Sequence, residues 1–250
     1  MKSHLLLVIC LGYLLSGCSS EDAPTPAEEL INVNSVRSVD FSPGSRELNL
    51  KLSDGSIWPF RLYVPKHQEG AILPLIIGLH WAGDERTYQE YMSCLVEPAF
   101  NDFNAIIVAP SAGNELWWEP PMREKIVEMV RLVKAYWPVD AQKIVLTGYS
   151  NGGTGCWYFA DNHASDFSAI IPMAGFYESK LEKFEVPMYI IHSDKDELFP
   201  YSLAKLKIDY AVSLGSDITI KLVPDLSHFE ACNYQEYLRE TQLWLVQEVW

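Results

Sequence analysis

Gly148-Tyr149-Ser150-Asn151-Gly152 sets a serine between two glycines, directly after the apolar run from Lys143 to Thr147 and ahead of a helical stretch around Thr154 to Ala160. A turn this sharp, from a buried strand into a helix, strains the backbone at the serine and needs glycines where the two elements pack close. The hydroxyl then projects alone, with the positive end of the helix behind it to favour developing negative charge. A serine hydroxyl is a poor nucleophile at neutral pH, so the chemistry also needs a base and an acid to orient it, carried by later strand ends.

Both are present downstream, in the order serine, acid, histidine. A strand ending near Ile191 is followed by His192-Ser193-Asp194-Lys195-Asp196-Glu197-Leu198-Phe199-Pro200, and the last apolar strand by Val223-Pro224-Asp225-Leu226-Ser227-His228-Phe229. The intervals, 46 from Ser150 to Asp196 (196 minus 150) and 32 from Asp196 to His228 (228 minus 196), each leave room for a strand and a helix. Asp194 competes for the acid role, but it stands three residues past Ile191 and is expected to stay tied to the strand end, whereas Asp196 reaches further into the turn. His80 and His192 close buried strands and His163 follows a helix in a polar stretch, so His228 is the candidate base; Asp225 and Glu230 beside it are read as solvated loop charges. Trp117 and Trp118 lie on a loop expected at the catalytic face and, with Tyr149, are candidates for substrate binding, although packing accounts for aromatics there equally well. No His-Glu-x-x-His and no cysteines at zinc spacing occur, so neither a metal nor a cofactor is expected.

Short apolar runs alternating with amphipathic stretches must position these loops. Arg46 to Leu52 and Ile57 to Val64 flank Ser53-Asp54-Gly55-Ser56 as a hairpin. Strands are expected over Leu73 to His80, Ala105 to Pro110, Lys143 to Thr147, Phe167 to Met173, Pro187 to His192 and Ile218 to Val223. Helices are expected over Glu124 to Tyr136, Thr154 to Ala160, Leu203 to Leu214 and Thr241 to Val249. Apolar strands alternating with helices predict an α/β fold, a mostly parallel sheet covered on both faces with the antiparallel hairpin at one edge.

With 250 residues, 48% apolar and 21% charged, the chain has ordinary globular composition. Its net charge of −14 excludes a duplex-DNA binder that works by neutralising phosphates. Lys2, the apolar run Leu5 to Leu15 and the small residues Ser16 and Gly17 predict a signal peptide over residues 1–17. Leu15-Ser16-Gly17-Cys18 resembles the bacterial lipobox, which implies that Cys18 carries a lipid and that the protein is an anchored lipoprotein of the cell envelope. Residues 18–35, acidic and bearing Pro24 and Pro26, are expected to form a flexible tether, with the domain over residues 36–250. An acidic surface is repelled by anionic lipid, so the membrane is expected to be met through the lipid anchor only. Cys94, Cys156 and Cys232 allow at most one disulfide, of undetermined pairing and with no framework role.

From about Leu48 onward the chain resembles the α/β-hydrolases, and within them the small esterases grouped with dienelactone hydrolases, carboxylesterases and feruloyl or polyhydroxybutyrate-depolymerase-like enzymes. The three loops carry that resemblance, with support from Phe60-Arg61-Leu62-Tyr63-Val64-Pro65 and Leu79-His80-Trp81-Ala82-Gly83. It implies acyl transfer through Ser150, His228 and Asp196, with an oxyanion hole made by the backbone N–H of Asn151 and that of Ala82 or Trp81. Trp81 stands where the family usually has glycine, which leaves the first donor open between the two. Residues 174–186 are too few for the lid domain often inserted there, so an open site for short-acyl or aromatic-acyl esters, on a small molecule or a polysaccharide, is expected. A serine peptidase of the same fold and a non-catalytic binding module are the alternatives.

Overall fold

The computed structural model describes residues 29–178 and 182–250. The signal segment, Cys18 and the acidic stretch up to residue 28 lie outside the described residues. Residues 29–35, expected to belong to the tether, include a segment that packs on the domain. Ile31 is fully buried and bridges antiparallel to Leu52, the Leu30 N–H donates to the Glu128 carboxylate at 2.7 Å, and Asn32 caps α1 (Val33–Arg37) by accepting the N–H groups of Asn34 and Ser35. The apolar pair Leu30-Ile31 is what draws this segment onto the domain.

The strands are β1 (Gly44–Lys51), β2 (Ile57–Val64), β3 (Leu73–Leu79), β4 (Ile106–Pro110), β5 (Val139–Tyr149), β6 (Ala169–Met173), β7 (Met188–Ser193) and β8 (Ile218–Val223). They form one sheet in the order β1-β2-β4-β3-β5-β6-β7-β8, in which β2 runs antiparallel to both its neighbours and β3 to β8 are mutually parallel. The parallel strands carry apolar side chains on both faces, as strands covered on both sides must. One face, with Leu75, Ile77, Leu146 and Ile170, packs under α4 (Met122–Tyr136), α5 (Asn151–Asn162) and α6 (Tyr201–Ser213). The other, with Ile76, Val145, Ile171 and Ile191, packs under α2 (Thr87–Tyr91), α3 (Glu97–Phe100) and α7 (Gln235–Trp244).

The helical stretch of α2, a π-helical turn at Met92–Val96 and α3 was not anticipated. Its signal is present nonetheless: Tyr88, Tyr91, Met92, Leu95, Val96, Ala99 and Phe100 are buried, at the alternating three- and one-residue steps that keep one face of a helix apolar. Helix α7 likewise starts at Gln235, earlier than Thr241, and places Leu238 and Thr241 in the core. Between β6 and β7 no cap domain appears among the described residues.

Candidate active site

Strand β5 runs to Tyr149, and the next residue, Ser150, has φ 56° and ψ −113°, a strained conformation for a residue other than glycine. Its N–H donates to the Met173 carbonyl and its own carbonyl accepts the N–H of Thr154, so strand β6 and the first turn of α5 hold the turn from both sides. A Cβ at Gly148 would run into the carbonyl of Gly152, and one at Gly152 into the carbonyl of Leu79. The two glycines are therefore required by close approach, and the second brings the start of α5 against the end of β3, where the 80–82 loop begins.

His228 Nε2 lies 2.8 Å from Ser150 Oγ, and His228 Nδ1 lies 2.9 Å from Asp196 Oδ2. A carboxylate only accepts, so the proton between Asp196 and His228 belongs on Nδ1, leaving Nε2 free to accept the serine hydroxyl. The other Asp196 oxygen accepts the N–H groups of Leu198 and Phe199 at 3.0 and 2.7 Å. Burial alone would raise the Asp196 carboxyl, but the His228 hydrogen bond, the Phe199 N–H and the nearby imidazoles outweigh it and hold the group below its ordinary value. Asp194 is exposed, and its carboxylate accepts the N–H of Asp225 at 3.1 Å, tying two strand ends together away from the histidine.

Contacts that local sequence did not reveal fix the histidine loop. Tyr149 Oη donates to the His228 carbonyl at 2.8 Å, and the Glu197 carboxylate accepts the His228 N–H at 2.9 Å and the Ser227 hydroxyl at 3.0 Å. Glu230, read as a solvated charge, accepts the Ser227 N–H at 2.8 Å. Cys232, four residues beyond the histidine, is disulfide-bonded to Cys94 on the π-helical turn, while Cys156 is buried and reduced. The bridge joins segments 138 residues apart, so it has the structural role that the cysteine count alone did not suggest.

At the opposite wall, His80 is fully buried. Its Nε2 accepts the Ala112 N–H at 2.9 Å and its Nδ1 donates to the Trp81 carbonyl at 2.6 Å. Burial is the main cause that lowers its pKa to about 4, so this neutral tautomer persists. The N–H groups of Trp81, Ala82 and Asn151 are taken up by no hydrogen bond among the described residues.

The substrate-binding candidates divide. Trp117 has no exposed surface; its indole N–H donates to the His80 carbonyl at 2.8 Å, and its ring meets that of His80 edge-on. It is a core residue bracing the 80–82 loop, which corrects its expected substrate-binding role. Trp118 packs on Tyr177 and is not on the wall of the cleft in front of Ser150. Tyr149 borders that cleft but is buried and engaged with His228. Besides Tyr149 and the His228 imidazole, the rings bordering the cleft are those of Trp81 and Phe229, the latter 78% exposed. The cleft encloses about 440 Å³. Among the described residues no group of His, Cys, Asp and Glu is arranged to hold a metal.

The profile of the dienelactone hydrolase family matches residues 101–242, more than half of the chain. No curated protein matches the sequence. An S-formylglutathione hydrolase from Staphylococcus aureus is similar in structure, with a TM-score of 0.67 at 16% identity over 82% of this chain and 99% of that one. Esterase 2 of Thermogutta terrifontis, phosphorylated by paraoxon, gives a TM-score of 0.64 at 16% identity over 82% of this chain and 94% of that one. A thermostable esterase gives 0.64 at 17% identity over 81% of this chain, which spans 62% of that enzyme's length. These structures share the fold, and the family profile covers the acid loop, the histidine loop and the serine turn alike: the chain belongs to the dienelactone hydrolase family and has the α/β-hydrolase fold.

Proposed function

We propose that the protein is a serine esterase that cleaves short-acyl or compact aromatic-acyl esters by two-step acyl transfer. The observation that carries this reading is the continuous chain from Ser150 Oγ through His228 to Asp196, at 2.8 and 2.9 Å. His228 takes the Ser150 proton as the oxygen attacks the ester carbonyl, and the N–H groups of Asn151 and the 80–82 loop receive the oxyanion. Asp196 keeps the imidazole in the required tautomer and stabilises the imidazolium. The proton then passes to the departing alkoxide, and water repeats the sequence on the acyl-enzyme to release the acid.

With no cap domain between β6 and β7 among the described residues, the cleft in front of Ser150 offers little apolar enclosure to a long acyl chain, which favours a small acyl group. Trp81 and Phe229 offer ring surface to an aromatic acid such as a feruloyl group, and a bulky alcohol, including one borne on a polysaccharide, would remain outside the cleft. The lipobox-like Leu15-Ser16-Gly17-Cys18 supports, within the same proposal, an anchored protein of the bacterial envelope. Turnover of a p-nitrophenyl ester series tests the reading: kcat/KM should be highest for acetate to butyrate and fall towards palmitate. A steady rise towards palmitate would overturn the short-acyl assignment, and no turnover of any member would overturn the esterase.

A further inference from the structure

The cleft in front of Ser150 carries charge of one sign. Glu90 and Glu230 border it, and no Lys or Arg does among the described residues. The two oxygens of Glu230 accept the Ser227 N–H at 2.8 Å and the Asn233 side-chain amide at 3.1 Å, which tethers its charge at the border of the cleft. Glu90, on α2, is exposed, and its carboxylate has neither a hydrogen bond nor an ion pair among the described residues. The same cleft presents the ring of Trp81 and the exposed ring of Phe229. Aromatic faces beside carboxylates attract cations and repel anions, and a recess with low-dielectric walls concentrates that field.

We infer that this cleft sorts esters by charge, accepting those with a cationic group next to the scissile bond most readily, neutral ones next, and those bearing a carboxylate least. The inference rests on the esterase reading and adds the charge class of its substrate. It takes the site from Ser150 and the sign of selection from Glu90 and Glu230. No covalent step changes: the same acyl group passes to Ser150 and the same alcohol leaves, so the charge acts on capture of the ester.

The experiment measures kcat/KM for three acetate esters of similar size, those of choline, of its neutral carbon isostere 3,3-dimethylbutanol, and of 3-hydroxypropanoate, with p-nitrophenyl acetate as the activity reference. At low ionic strength the choline ester should exceed the neutral isostere, and the neutral isostere the anionic ester, by about tenfold each, the order expected of two unit charges within about a nanometre at a solvated site. Near 1 M salt, where the Debye length is about 3 Å, both ratios should shrink to within about threefold. Glu90→Gln should cut the choline-to-isostere ratio by about threefold at low salt, and Glu90→Lys should bring the anionic ester level with the choline ester or above it. Equal rates for the three esters, or ratios that neither Glu90 variant changes, would overturn the inference while p-nitrophenyl acetate is still hydrolysed. If p-nitrophenyl acetate is not hydrolysed either, the esterase reading fails and this inference falls with it.

Discussion

The imidazole of His80 donates from Nδ1 to the carbonyl of Trp81, the next residue in the chain, at 2.6 Å. In a trans peptide the C=O and the following N–H point in opposite directions, so holding the Trp81 carbonyl against His80 turns the N–H of Ala82 away from the ring. Ala82 is exposed and borders the cleft, which makes its N–H, and not that of Trp81, the proposed partner of Asn151 in the oxyanion hole. His80 is thus a positioning residue for that peptide.

His80→Ala should therefore lower kcat by about a hundredfold, the effect of losing one oxyanion donor, with a much smaller change in KM. His80→Asn keeps a donor near the Nδ1 position and should recover most of the loss. Steady-state kinetics beside a melting curve will check this; equal losses in both variants would show that the role is packing alone.

His80 also makes stability depend on pH. Its folded pKa, lowered to about 4 by burial, lies below the ordinary 6.5, so the unfolded chain binds the proton first as pH falls. The stabilisation is complete above 6.5 and is lost between 6.5 and about 4, on the order of 3 kcal/mol in all. Denaturant unfolding across this range should show a decline that is flatter in His80→Asn.

Glu197 holds the His228 backbone from outside the triad. Glu197→Ala should reduce kcat by about tenfold through misplacement of the imidazole, and Glu197→Gln, which keeps one acceptor, by less. The check is the kcat of both variants on p-nitrophenyl acetate, with KM expected to stay within about twofold.

The two aspartates of one turn should separate sharply. Asp196→Asn removes the acceptor that sets the His228 tautomer and should cost about four orders of magnitude in kcat, whereas Asp194→Asn, which touches only the Asp225 N–H, should leave most of the rate. Assayed side by side, the reverse ranking would transfer the acid role to Asp194.

The Cys94–Cys232 bridge spans 138 residues of sequence and ends four residues from the histidine. Closing a loop of that length stabilises by about 5 kcal/mol in the chain-entropy view, and about 2–4 kcal/mol is commonly realised. Replacing both cysteines with serine should lower the unfolding free energy by that amount and weaken activity before the melting transition, as the histidine loop loosens.

Much of the site was legible because each of its parts is a local signal. Glycines around Ser150, an acid loop after one strand and a histidine loop after the next are each read from a few adjacent residues, and the apolar strands between them fix the order. What escaped depends on contacts between distant segments. Nothing near Trp117 distinguishes a ring on the rim from a ring donating to the His80 carbonyl, and nothing near Glu197 says that its partner is an N–H 31 residues away. The helical stretch from α2 to α3 is a different case: its periodic apolar residues were readable, but the π-helical turn and Pro98 interrupt a simple pattern.

Labelling with a fluorophosphonate tests the central claim most directly, because the reagent traps only a serine activated by a base. Peptide mass spectrometry should find one adduct per chain, on the peptide containing Ser150, absent in Ser150→Ala and strongly slowed in His228→Ala. No gain in mass, or an adduct on any other residue with Ser150 unmodified, would contradict the account.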